Sequence, residues 1–135
     1  MKQKIMECYD KNNIDEFLIL FKEICSKLMT TKDDYLNKSV SIHNMTMKDT
    51  QKIFLYMMKD VKKRKKYIDA LFLEEEDIKY LIACYCLRYG VYKLKSRKIL
   101  REINKSTKND LLQFGTNIAL KEYNLFYKGE FKEED

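Results

Sequence analysis

Proline and tryptophan are absent from this chain, and there are only 3 glycines and 1 histidine. Each scarcity excludes something. Sheet-rich folds need many Gly, Pro and Asn turns, so the shortage of Gly and Pro predicts helices with few tight turns. Three scattered glycines cannot build a Gly-rich phosphate loop. A single histidine, His43, leaves no Ser-His-Asp arrangement and no duplicated histidine site. No run approaches 18 apolar residues, so no membrane-spanning helix is expected. The start, MKQKIMECYDKNN, is mostly polar and lacks a secretory apolar segment. The four cysteines, Cys8, Cys25, Cys84 and Cys86, are irregularly spaced. They read as reduced thiols of a cytoplasmic protein.

What is present describes one all-α domain spanning residues 1–135. A chain of 135 residues favours a single domain with its own core. Hydrophobic residues make up 45% and charged residues 36%, a globular balance. Lys, Ile, Asn and Tyr are frequent while Ala and Gly are rare. That bias fits an AT-rich coding sequence, as in a low-GC bacterium, a phage or a virus.

Periodicity predicts four main helices plus a short N-terminal one over residues 2–11. Asn12 or Asn13 suits an N-cap. Ile14, Phe17, Leu18, Phe21, Ile24, Cys25 and Leu28 recur at helical spacing and predict a second helix ending near Thr30. Residues 31–46 read mostly as a connection. Thr46 and Asp49 resemble a capping box. From there Ile53, Phe54, Met57, Met58, Val61, Ile68, Leu71 and Phe72 predict a helix over 47–72, kinked near Lys66. Thr107 and Asp110 form a second box-like pair. The last helix then buries Leu111, Leu112, Phe114, Ile118, Ala119, Leu125 and Phe126. The tail from 130 to 135 is acidic and expected to fray.

Between them lies a long central helix, about 75–104, opened by Glu74, Glu75, Glu76 and Asp77 at its positive end. Ile78, Leu81, Ile82, Tyr85, Tyr89, Tyr92, Ser96, Ile99, Leu100 and Ile103 fall within about 100° of one another on a helical wheel. The stripe keeps its phase across Gly90. Tyr89-Gly90-Val91 can also be read as the turn of a helix-turn-helix motif. That family keeps an aliphatic residue six positions after the turn glycine, and here Ser96 stands there. Phase continuity therefore predicts one helix of about 29 residues, roughly 44 Å long.

Charge is segregated along the chain. Windows 59–68 and 88–108 together hold 14 of the 27 basic residues and 2 of the 21 acidic ones, so they sum to +12 and the remainder to −6. Lys62, Lys63 and Lys66 lie opposite the apolar stripe of their helix, as a solvated face would, whereas Arg64 and Lys65 fall toward it. Lys93, Arg97, Lys98, Arg101 and Lys105 belong to the second window, with Glu102 its single acid. These eight lysines and arginines are the expected contacts of an acidic protein surface or of phosphates. Tyr89 and Tyr92 are able to stack on bases but sit in the apolar stripe and read as core.

No catalytic, cofactor-binding or metal-ligating residue is assigned. Cys84 and Cys86 point about 200° apart on a helix and cannot share an ion. The sequence therefore predicts a non-catalytic binding module, such as a small regulator, inhibitor or viral or phage accessory subunit, acting by protein–protein interaction. The alternative is a nucleic-acid-binding protein. Tyr80, Leu87, Leu94 and Tyr127 lie off the main stripes, so they either pack inside or form a homodimer face.

Overall fold

Capping chemistry and three left-handed backbone residues, Asn12, Gly90 and Tyr92, decide where the helices begin and end. The computed structural model describes residues 1–28, 32–37 and 39–122. All elements among these are helices: α1 Lys2–Asp10, α2 Ile14–Cys25, α3 Lys32–Asn37, α4 Val40–Met58, α5 Val61–Leu71, α6 Glu76–Tyr89, α7 Lys93–Ser106 and α8 Asp110–Glu122. The chain divides into two compact units, Met1–Tyr67 and Ile68–Asp135, with the boundary inside α5. No helix among the described residues is long and apolar enough to cross a membrane.

In the first unit α1, α2 and α4 pack on one another. Asn13 caps α2, its side-chain oxygen accepting from Glu16 N at 3.3 Å. Phe17, Phe21, Ile53, Phe54, Met57 and Met58 are buried. Tyr9 is the aromatic hub. Its ring meets those of Tyr67 at 4.7 Å and Phe17 at 6.2 Å, and its hydroxyl donates to Met57 O at 3.1 Å.

Two expectations for this unit are overturned. Residues 40–46 are helical, the first turns of α4, and not a connection. Thr46 is interior to that helix and donates back to Ile42 O at 2.8 Å, so it caps nothing. The expected 47–72 helix is also two helices, interrupted at Lys59–Asp60. Asp60 restarts the chain as a cap, accepting from Lys62 N and Lys63 N at 3.1 Å each. The interruption resets the helical phase. Arg64, Tyr67, Ile68 and Leu71 now share the buried face, and Val61 is exposed. Arg64 is only 1% exposed and donates through Nη1 to Met58 O at 3.1 Å, closing the end of α4.

In the second unit α6, α7 and α8 pack against one another. The continuous 75–104 helix does not exist: α6 stops at Gly90 and α7 starts after Tyr92. Gly90 has φ 75° and ψ 30°, the left-handed region. Val91 N donates to Cys86 O at 2.9 Å and Gly90 N to Leu87 O at 3.3 Å. These two bonds are the Schellman pattern that satisfies the last carbonyls of a helix. Tyr92 is left-handed as well, at φ 47°. That costs an L-residue about 1–2 kcal/mol. Burial of the Tyr92 ring, 5% exposed, offsets it.

All ten residues of the predicted stripe, from Ile78 to Ile103, are nonetheless buried. The last helix differs from expectation. It starts at Asp110, with Asn109 as its cap, accepting from Leu111 N at 3.0 Å and Leu112 N at 3.3 Å. Thr107 instead donates to Glu76 Oε1 at 2.9 Å. The buried face of α8 is Leu112, Thr116 and Ala119, while Phe114 and Ile118 are exposed. Residues 123–135, with the expected core positions Leu125 and Phe126 and the acidic tail, lie outside the described residues.

A candidate interaction surface on helix α7

Helix α7 owes its orientation to one apolar edge and three anchors. Ser96, Ile99, Leu100 and Ile103 face inward. Near its start, Lys95 Nζ pairs with Asp69 Oδ1 at 2.9 Å and lies 5.6 Å from the centre of the Phe72 ring. Near its end, Asn104 Nδ2 donates to Thr116 Oγ1 at 2.9 Å and Asn117 Oδ1 at 3.0 Å, tying α7 to α8. At its N-terminal side the Schellman turn fixes the approach from α6.

The face left outward is basic. At 100° per residue, Arg97, Arg101, Leu94, Lys105 and Lys98 follow one another around about 100° of the helix. Lys98, Arg101 and Lys105 are exposed, and Arg97 and Lys93 are half-buried. Leu94, in the middle of this arc, is 69% exposed. Lys93, Arg97, Arg101 and Lys105 form a row at four-residue spacing, each step about 6 Å along the axis. Glu102 borders the arc beyond Lys98, about 40° further round.

The other basic run sits on α5 in the first unit. Lys62 and Lys66 are exposed there, as is Lys65, which the sequence had turned inward. Lys63 is half-buried, with Nζ donating to Asp10 O at 3.3 Å and lying 4.4 Å from the Tyr9 ring centre. Part of its charge is thus engaged within its own unit. The five predicted residues of the second window therefore share one helix, and the three of the first belong to another unit.

Tyr89 and Tyr92 are 3% and 5% exposed, so neither offers a ring to a base. Of the residues off the main stripes, Leu87 is buried, Tyr80 is half-buried and Leu94 is open; Tyr127 lies outside the described residues. Leu94 is the member of this surface that charge counting missed. Its signal was its place off the apolar stripe, among lysines and arginines.

No disulfide joins the cysteines; Cys25, Cys84 and Cys86 are buried and Cys8 is half-buried. Among the described residues no group of three or more His, Cys, Asp or Glu is placed to hold a metal ion. Three phenols of the first unit are displaced in titration. Burial, then the Asp60 carboxylate, pushes the Tyr9 phenol well above its ordinary range. Burial, then the Cys8 thiol, raises Tyr67, and a hydrogen bond to Asp10 raises Tyr56. These are properties of a packed aromatic cluster.

No family model matches this chain, and no curated protein or solved structure shows significant similarity to it.

Proposed function

We propose that this chain is a non-catalytic binding module, a small regulator, inhibitor or accessory subunit, that engages an acidic protein surface through the outward face of α7. The observation that carries the reading is Leu94, 69% exposed at the centre of the arc formed by Arg97, Arg101, Lys105 and Lys98. An exposed leucine beside cations contributes little to binding a phosphate backbone, where affinity comes from charge alone. Against a protein it can supply a buried apolar anchor within a charged rim. The surrounding charges steer the encounter and select the partner.

A second reading, nucleic-acid binding, is favoured by a different observation. Helices α6 and α7 are joined by a three-residue turn containing a left-handed glycine, the connectivity of a helix-turn-helix unit. In that reading α7 is the helix presented to a duplex groove. Lys62 and Lys66 add phosphate contacts, and so does the partly engaged Lys63.

An electrophoretic shift series over increasing salt separates the two. The protein-binding reading expects no shift of a mixed-sequence duplex near physiological salt. It also expects an acidic protein to copurify from the producing cell with the wild type and not with Arg97→Glu/Arg101→Glu. A strong shift that weakens steeply with salt and vanishes in that double variant overturns it in favour of nucleic acid.

A further inference from the structure

The first unit carries an apolar groove that takes no part in the α7 surface. It lies where the start of α1, the end of α2 and the first half of α4 meet, and its volume is about 620 Å³. Small-molecule sites span about 300–1,000 Å³ and are mostly apolar, with a few polar groups that set orientation. We infer that this groove binds a single-chain monoanionic amphiphile, of the class of a medium-chain fatty carboxylate, taken up free from solution.

The apolar part follows from the sequence of α4. Ile42, Met45 and Asp49 stand at i, i+3 and i+7, so they fall within about 60° on the helix. Further along α4 the same side is covered, and Ile53 there is 1% exposed. In the first turns it is not: Ile42 and Met45 are 47% and 58% exposed. Ile24 of α2, 3% exposed, supplies a buried apolar surface, and Met1 adds a second thioether to the lining. Unbranched, polarisable methionine side chains adapt their shape to what they touch, which suits a flexible alkyl chain.

The polar part selects the head group. Lys2 Nζ lies 3.9 Å from Asp49 Oδ1, so one carboxylate already offsets one ammonium. Lys27, exposed just past the end of α2, brings a second ammonium, which leaves the lining side chains with a single net positive charge. A monoanion matches that balance. Thr46 also lines the groove, but its hydroxyl donates to Ile42 O at 2.8 Å and offers no proton to a sugar. None of the described lining residues is aromatic, so a nucleobase finds no ring to stack on.

The test uses the full chain with methyl-labelled methionines, followed by NMR, together with calorimetric titration of octanoate, decanoate and decanol below their aggregation limits. Decanoate should move the Met1 and Met45 methyl resonances and leave those of the buried Met57 and Met58 in place. Two added methylenes should tighten decanoate about fifteenfold over octanoate. Lys27→Gln should weaken decanoate about threefold, the scale of one exposed ion pair, without changing decanol. Asp49→Asn should tighten decanoate, because a competing carboxylate is gone. Met45→Asp should abolish binding, and since Met45 is exposed the fold should persist by circular dichroism.

Unmoved Met1 and Met45 resonances overturn the site. Affinity that ignores chain length overturns burial of the alkyl chain. Decanol binding as tightly as decanoate, with Lys27→Gln changing neither, overturns selection of an anion. Binding to vesicles of phosphatidylcholine and phosphatidylserine while decanoate is ignored overturns the free ligand in favour of a membrane surface.

Discussion

Replacing Gly90 with alanine distinguishes two backbones for residues 76–106 by the sign of a single stability change. In a continuous helix Gly90→Ala stabilises, because glycine in a helix interior costs about 1 kcal/mol relative to alanine. Here Gly90 sits at φ 75° and closes α6 through the bonds from Val91 N to Cys86 O and from Gly90 N to Leu87 O. An L-residue forced into that conformation costs about 1–2 kcal/mol. The two cases therefore differ by roughly 2–3 kcal/mol, well outside the error of a denaturation curve. For a chain of this size a loss of 1–2 kcal/mol lowers Tm by about 3–10 °C. The assay is urea unfolding followed by circular dichroism at 222 nm, with midpoint and slope compared for wild type, Gly90→Ala and Gly90→Asn. Asparagine tolerates the left-handed region better than alanine, so Gly90→Asn should fall between the other two. A midpoint that rises in Gly90→Ala would refute the Schellman turn and restore the single long helix.

Three further outcomes follow from named contacts. Ser96 is fully buried and its hydroxyl has no hydrogen-bond partner among the described residues. Ser96→Ala should therefore stabilise by about 1–2 kcal/mol, and a lower urea midpoint would contradict this account of the α7 core. Asn109→Ala removes the acceptor for Leu111 N and Leu112 N and should cost about 1 kcal/mol, with faster amide exchange confined to the first turn of α8. Stability should also fall in alkali. Burial and Asp60 raise the Tyr9 phenol above its ordinary value. The folded state therefore favours the protonated form. Its contribution is complete below about pH 10, the unfolded value, and is lost as pH rises toward the folded one. Urea midpoints at pH 8, 10 and 11 should decline less steeply in Tyr9→Phe than in wild type. Some slope should remain, because Tyr67 is raised as well; parallel declines would contradict the assignment.

How much was legible from residues alone can be seen at Gly90. Periodicity placed ten residues from Ile78 to Ile103 on one apolar stripe, and all ten are buried. It failed on the backbone that connects them. A wheel reports which side chains share a direction, and a three-residue turn can return the chain in the same phase. The composition carried a hint in that Gly90 is the one glycine within the stretch, but a glycine inside a helix and a glycine ending one leave the same mark in sequence. Lys59–Asp60 is the counterpart in the first unit. The stripe from Ile53 to Phe72 hid an interruption whose sign was the misplaced phase of Arg64. That residue fell toward the apolar side because it does face the interior, where Met58 O accepts its hydrogen bond. Phe114 and Ile118 fail in the opposite direction: their hydrophobicity suggested core, while Thr116 and Ala119 fit the narrow space beside α6 and α7.

The sequence by itself determined an all-helical chain, through its missing prolines, scarce glycines and long-range periodicity, and it marked the ten stripe residues from Ile78 to Ile103 as avoiding water. It also set the segregation of charge, since the order of residues puts +12 into two windows. Tertiary structure decided where helices stop, because caps and left-handed turns are stabilised by contacts remote from them, such as the burial of the Tyr92 ring. It decided too that Leu94 would stand in the open among cations. Both the leucine and its neighbours are visible in the sequence, but only the docking of Ser96, Ile99, Leu100 and Ile103 against α6 and α8 determines which side of α7 is left to meet a partner.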